Sequence, residues 1–291
     1  MFHGSIPALI TPFKNGAIDR DAFSDLIERQ ISGGSAALVP CGTTGESATL
    51  SHDEHKQVVE LCIEIAGGRV PVIAGAGSNS TSEAIELIKH AKSAGADAAL
   101  VICPYYNKPD QAGLAAHFRA IDAAVSIPII LYNVPSRTAS DLLPETVSEL
   151  AKLPNIIGIK DASNDLGRVS MQAALTAGEQ FTQLSGEDPS SLGHRAMGGT
   201  GCISVTANVA PELCAQMHAA FDAGDPEKAQ EIDQRLIHIH RAMFYSPSPG
   251  PAKYVLSKMG VCSDEVRLPI VRPTTQVRHN IDSAMTRAGL G

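Results

Sequence analysis

Ala98-Ala-Leu-Val-Ile102 is a run of apolar residues with no polar position on either face. Such a run predicts a strand buried on both sides, as in a parallel sheet covered by helices on one face and packed on the other. Working outward from it in both directions, similar short runs recur at Ser5–Ile10, Ala36–Pro40, Val72–Gly75, Pro128–Tyr132, Ile156–Lys160, Phe181–Ser185 and Gly201–Val205. Their starts lie about 20 to 35 residues apart, the length of one strand plus one helix. The segments between them carry helix signals. Ser51-x-x-Glu54 and Ser80-x-x-Glu83 have the spacing of capping boxes. Behind the first, Val58, Val59, Cys62, Ile65 and Ala66 keep a 3.6-residue stripe, as do Phe23, Leu26, Ile27 and Ile31 in an earlier helix that Gly33-Gly34 stops. Gly95 ends the helix that starts at Ser80. Eight strand-then-helix units predict an α/β fold of the (β/α)8 TIM-barrel type. From about residue 225 only helical patterns remain: Pro226–Phe244, then Ala252–Gly260 after a Pro-rich break, then a short final segment. The expected organisation is therefore a barrel over 1–224 and a helical C-terminal extension over 225–291.

Composition removes several classes of function. The chain has 291 residues, 23 Lys and Arg against 31 Asp and Glu, and a net charge of -8, so no cationic surface is available to follow a nucleic acid. No apolar run approaches the ~18 residues needed to span a bilayer, and Met1 to Lys14 does not read as a signal peptide. Cys41, Cys62, Cys103, Cys202, Cys214 and Cys262 show no C-x-x-C spacing and read as reduced core thiols of a cytoplasmic protein. None of the ten histidines ends an expected strand, so no metal site is expected. Gly75-Ala-Gly-Ser-Asn-Ser80 lacks the third glycine of a dinucleotide fingerprint, and no nucleotide cofactor is expected either.

A barrel places its chemistry just after the strands, at one mouth. Gly42-Thr-Thr-Gly-Glu46, Pro104-Tyr-Tyr-Asn107, Tyr132-Asn-Val-Pro-Ser-Arg-Thr138, Lys160, Ser185-Gly186 and Ile203-Ser-Val-Thr206 all occupy such ends. Any one could be a turn; their convergence on one mouth is harder to explain that way. Lys160 completes an apolar strand, which buries its stem and leaves its amine at the mouth. Desolvation there disfavours the ammonium, and a neutral amine attacks a ketone to form a Schiff base. The alternative is a lysine that reaches solvent or pairs with a carboxylate. Asp161 is a poor partner because neighbouring strand residues face opposite ways. The Gly42–Glu46 turn offers amides and hydroxyls suited to a carboxylate or phosphate, or is a simple Gly-rich turn.

In order along the chain, Gly42-Thr-Thr-Gly-Glu-Ser47, Pro104-Tyr-Tyr-Asn107, Tyr132-Asn-Val-Pro-Ser-Arg-Thr138, Gly158-Ile-Lys160 and Ile203-Ser-Val-Thr-Ala-Asn208 carry a resemblance to the dihydrodipicolinate synthase family, within the pyruvate-dependent Schiff-base aldolases and lyases. It extends over essentially the whole length; Glu187, where aspartate is common, is a small departure. The resemblance implies a condensation of pyruvate with L-aspartate 4-semialdehyde, with no cofactor. It implies Lys160 as the Schiff-base lysine and Tyr132, Thr43 and Tyr106 as the proton relay, Tyr106 entering from a neighbouring subunit. Thr44 would hold the pyruvate carboxylate and Arg137 the semialdehyde carboxylate, with Gly186 and Ile203 lining the pocket. It further implies a homotetramer and an L-lysine feedback site at Ser47, Ala48, His52, His55, Asn79, Glu83 and Tyr105. Two alternatives stay open: another aldolase of the superfamily, such as N-acetylneuraminate lyase or a 2-keto-3-deoxy sugar-acid aldolase, or a silent sensor of keto or amino acids. Arg137 weighs against the first, and the intact Lys160, Tyr132, Thr43 and Tyr106 set against the second.

Overall fold

In the computed structural model, which describes residues 2–290, parallel strands run through Ile73–Gly75, Ala98–Ile102, Ile129–Asn133, Ile156–Asp161, Thr182–Ser185 and Gly201–Ser204, each paired with the next. They belong to a unit spanning Val72–Ile203. Helices Thr81–Ala94, Gln111–Ala124, Pro144–Leu150 and Gly167–Leu175 fill the intervals between successive strands. Leu87 and Ile88, Phe118 and Ile121, and Val147 and Leu150 from three of these helices share a buried cluster with Val101, Ile129, Leu131 and Ile159 of the strands. This is the apolar seam that drives the unit together, and it sets which way each strand faces. Because Ile129, Leu131 and Ile159 point at the helices, their alternates Ile130, Tyr132, Gly158 and Lys160 lie on the opposite face of the sheet. A register shift between Ile129 and Ile130 keeps the two strands in step, pairing Tyr132 with Lys160.

Gly158 has a steric reason. A Cβ there would collide with the Thr182 carbonyl of the neighbouring strand, so the residue two before Lys160 has no room for a side chain.

The second unit joins Gly4–Pro71 to the chain from Ser204 onward. The strand Gly4–Pro7 leads to Ala8, which bridges Val39 in parallel. Helices Arg20–Ser32, His52–Ala66, Pro211–Asp222, Pro226–Ala242, Gly250–Lys258 and Thr275–Ala288 complete this unit. The Ser51 capping box forms as expected: the Ser51 hydroxyl accepts the Glu54 N–H at 3.2 Å and Glu54 accepts the Ser51 N–H at 2.8 Å. No helix among the described residues is long and apolar enough to cross a membrane.

Three local expectations are corrected. Ala36–Pro40 is not a full strand: Ala36 and Val39 donate to Ser5 and Pro7, Leu38 donates to Pro71, and Leu9 returns a bond to the Val39 carbonyl, which leaves the isolated Ala8–Val39 bridge. Pro7 and Pro71 have no N–H to return, and the chain leaves the ladder at Cys41, where φ is 55°. Ser80 does not cap its helix. Ser78 intervenes, its hydroxyl accepting the Ser80 N–H at 3.0 Å and donating to the Glu83 carboxylate. The final helix, Thr275–Ala288, has 14 residues and a Thr274 cap, where a short segment was expected.

Candidate active site

Within the first unit, the register brings the ends of three strands level, so that Tyr132 sits beside Lys160 and Lys160 beside Leu184. The Lys160 side chain is folded over the tyrosine, with Nζ 4.1 Å from the ring centroid. Both residues are 6% exposed. Gly186 presses on the same lysine from the next strand end: a Cβ there would stand 3.1 Å from Lys160 Cε and 2.7 Å from the Ala162 side chain. Asp161 turns away, accepting from the Ser163 N–H at 2.7 Å, as alternation along a strand requires. The amine is thereby held between an aromatic face and a backbone with no side chain, without a carboxylate bonded to it in this unit. Ile203 is buried in the strand Gly201–Ser204.

Arg137 lies in the single helical turn Pro135–Thr138 and its side chain is exposed. The loop that carries it is braced at both ends. The Thr138 hydroxyl donates to the Val134 and Ser140 carbonyls, at 3.1 and 2.8 Å. The Asn133 amide donates to Asp141 at 3.0 Å and its oxygen accepts the Leu142 N–H at 3.0 Å. Arg168 grips Asp141 with two parallel bonds of 2.7 and 2.6 Å, and these bonds are the main reason the Asp141 carboxyl is held below its usual range.

Two participants were not expected from sequence. One is this Asn133–Asp141–Arg168 brace. The other is Glu187, whose carboxyl is pushed up chiefly by burial and by Asp188, while Lys160 and Arg137 oppose the shift. Glu187 is thus electrostatically coupled to Lys160 and Arg137; its place just after a strand end was the available signal. A shallow, open depression lined by Asp161, Arg168, Ser185 and Glu187 lies at the ends of the same strands.

Tyr106 stands out differently. It is 93% exposed and has a left-handed φ of 72°, in a loop where Asn107 donates to the Asn79 carbonyl at 2.9 Å and Asn79 to the Tyr105 carbonyl at 3.1 Å. Asn79, Tyr105 and Glu83 are therefore neighbours in the first unit, with Glu83 held by Ser78.

In the second unit, Thr43–Gly45 forms a single 3-10 turn in which Thr44 is buried, closed by the Gly45 N–H donating to the Gly42 carbonyl at 3.0 Å. Gly45 meets the Leu9 carbonyl, 3.1 Å from where a Cβ would sit. Ser47 and Ala48 follow in a second 3-10 turn, Ser47–Thr49. His52 opens the next helix on an exposed position, while His55, one turn on, is buried. Among the described residues no group of three or more His, Cys, Asp or Glu side chains is placed to hold a metal ion.

Comparison with known proteins identifies the family. The dihydrodipicolinate synthetase family model matches residues 1–288. The chain is 68% identical over 291 residues to the 4-hydroxy-tetrahydrodipicolinate synthase of Hyphomonas neptunium, covering 100% of this chain and 99% of that one. It is similar to the dihydrodipicolinate synthase of Acinetobacter baumannii, solved with pyruvate, at 42% identity and a TM-score of 0.97 over 100% of both chains. The enzyme of Cyanidioschyzon merolae, solved with lysine bound, matches at 38% identity and a TM-score of 0.96, covering 100% of this chain and 99% of that one. The expected fold class, a (β/α)8 barrel with C-terminal helices, stands on these likenesses together with the parallel strand-helix alternation.

Proposed function

The chain belongs to the dihydrodipicolinate synthetase family, and from that premise we propose how its own residues divide the work of the reaction. The protein condenses pyruvate with L-aspartate 4-semialdehyde through a lysine Schiff base, giving 4-hydroxy-tetrahydrodipicolinate on the route to lysine and diaminopimelate.

Lys160 is the nucleophile. Its neutral amine adds to the keto carbon of pyruvate, and loss of water leaves an iminium. That positive charge acidifies the adjacent methyl group, so a modest base suffices to take a proton and form the enamine. Tyr132, against whose ring the amine rests, handles these protons. Carrying protons to and from the reacting carbon needs a relay beyond one hydroxyl, and Thr43 and Tyr106 supply it. Thr44 and the amides of its turn hold the pyruvate carboxylate. The enamine carbon then attacks the aldehyde, forming the new carbon–carbon bond. The amino group of the former semialdehyde attacks the iminium carbon and displaces Lys160, which leaves as the free amine while the ring closes. Arg137 fixes the semialdehyde carboxylate with a planar fork that a lysine could not copy. Gly186 and Ile203 shape the wall.

The subunit arrangement we propose is a homotetramer of two dimers, with Tyr106 completing a neighbour's relay; its exposure and its left-handed backbone support that reading. L-Lysine is the proposed effector, bound by Ser47, Ala48, His52, His55, Asn79, Glu83 and Tyr105, with Glu83 supplying a carboxylate to its ammonium group. A biosynthetic step and free cysteines, five of the six buried, both suit the cytoplasm.

The observation that carries the mechanism is the Lys160 amine, 6% exposed and 4.1 Å from the Tyr132 ring. Borohydride reduction in the presence of pyruvate tests it: peptide mapping should find the adduct on Lys160 alone. Label on another lysine, or none, would end the assignment.

A further inference from the structure

The residue that follows the Thr43–Gly45 turn is buried for a reason the reaction has not used. Glu46 has a left-handed φ of 56°, unusual for a residue other than glycine, and its side chain is 3% exposed. One carboxylate oxygen accepts from Lys253 Nζ at 2.5 Å and the other from the Arg267 N–H at 2.9 Å. Lys253, itself 0% exposed, also donates to the Glu265 carbonyl at 2.8 Å, and its Nζ lies 4.1 Å from the Phe13 ring centroid. Burial pulls the Lys253 ammonium downward while Glu46 opposes the shift. On the far side of the turn, the Thr11 hydroxyl donates to the Gly45 carbonyl at 2.7 Å.

We infer that Glu46, Lys253 and Arg267 are positioning residues that fix the Thr43–Gly45 turn in the conformation that receives pyruvate, so that one C-terminal helix and the loop after it set affinity for this substrate. The inference rests on the reading that Thr44 and its turn hold the pyruvate carboxylate. Stability alone does not account for the pair. Two charges taken out of water recover their desolvation cost poorly, and apolar replacements of the same volume are often neutral or better. What such a pair supplies is a single geometry, because a carboxylate bonded on both oxygens and an ammonium bonded on two sides have no second arrangement of equal energy. A left-handed residue needs that kind of external fixation to persist.

The anchor also reaches the next helix. The Arg267 guanidinium forks onto Glu54 at 2.7 and 2.6 Å, donates to the Thr49 carbonyl at 3.0 Å, and stacks 4.2 Å from the Phe13 ring centroid. Glu54 is the capping-box glutamate of the helix that begins with His52. One arginine therefore holds the substrate turn through its backbone and the helix start through its side chain.

Steady-state kinetics on the full-length protein tests this, with Lys253→Met as the first variant and Glu46→Gln as the second. The Gln keeps the volume of Glu46 but has only one oxygen to serve two donors. Both variants should raise the pyruvate KM about tenfold or more, with the semialdehyde KM little changed and the folded state intact by circular dichroism. Should Lys253→Met fail to fold, Glu46→Gln decides. A lowered melting temperature with an unchanged pyruvate KM makes the pair merely structural and overturns the inference. Thr44→Val separates this from its premise. If that variant raises the pyruvate KM while both pair variants leave it alone, the positioning role alone is wrong. If Thr44→Val leaves the KM alone, the turn does not hold pyruvate and the inference falls with that reading.

Discussion

Replacing Asp141 by alanine removes the keystone of the loop that carries Arg137. The native carboxylate accepts two bonds from Arg168, at 2.7 and 2.6 Å, and one from Asn133 at 3.0 Å. Bonds to a charged group are worth ~1.5–3 kcal/mol each when buried, but Asp141 is 35% exposed and Arg168 16%, so solvent screens part of this. Arg168 keeps a weaker partner in Asp165 at 3.7 Å. A loss of ~2 kcal/mol follows, which for a chain of this size lowers the melting temperature by roughly 3 °C. The pH dependence has a definite sign. Because the folded-state carboxyl is held below its usual range, first by its bonds to Arg168, its contribution is complete above the unfolded pKa near ~3.9. It is lost as pH falls through the lower folded value. Wild type and variant should therefore differ fully at pH 7 and converge only in strong acid. Thermal melts across pH, paired with kinetics, provide the assay. Pyruvate trapping on Lys160 should survive while the semialdehyde KM rises severalfold, since only the Arg137 loop has been released. An equal rise in both KM values, or a melting shift that grows in acid, would refute the reasoning.

Further outcomes can be stated briefly. Arg137→Ala should still form the Schiff base with pyruvate but lose ~2–3 kcal/mol of semialdehyde recognition, a drop of roughly 30- to 150-fold in kcat/KM; normal use of the semialdehyde would show that its carboxylate binds elsewhere. L-Lysine titrated at fixed pyruvate should inhibit, with a coupling of ~1–3 kcal/mol, and His55→Ala and Glu83→Ala should each abolish the effect; activity indifferent to millimolar lysine would leave these residues structural. Mixing an inactive Tyr106→Phe preparation with an inactive Lys160→Ala preparation should recover part of the activity once subunits exchange, whereas full activity in a dilute monomer would rule out shared sites.

What sequence revealed and what it hid divide along one physical line. Strand-end chemistry was legible because alternation and strand length are local: Ile156–Lys160 announces that Lys160 faces away from the helix-facing Ile159, and the structure places it so. The Ser51 box was legible for the same reason, with cap and glutamate three residues apart. The Ser80 box had the same spacing and failed, because the competitor Ser78 lies outside the motif and reaches Glu83 first. Ala36–Pro40 was overread because its pairing depends on Pro7 and Pro71 in other segments. The Arg168–Asp141 fork spans 27 residues and the Lys253–Glu46 pair 207. No periodicity connects such residues, and only the folded chain brings them together.

The 207 residues between Glu46 and Lys253 have a consequence in time. A chain made from its first residue onward exposes the Thr43–Gly45 turn early, but the lysine that anchors it emerges roughly 10–40 s later at translation rates of ~5–20 residues/s. The residues from Val72 to Ile203, Tyr132 and Lys160 among them, are all made before it. The nucleophile thus precedes on the chain the residue proposed to lock the turn that receives its substrate. Until Lys253 is made, Glu46 lacks the partner proposed to hold the turn, however early the turn itself leaves the ribosome.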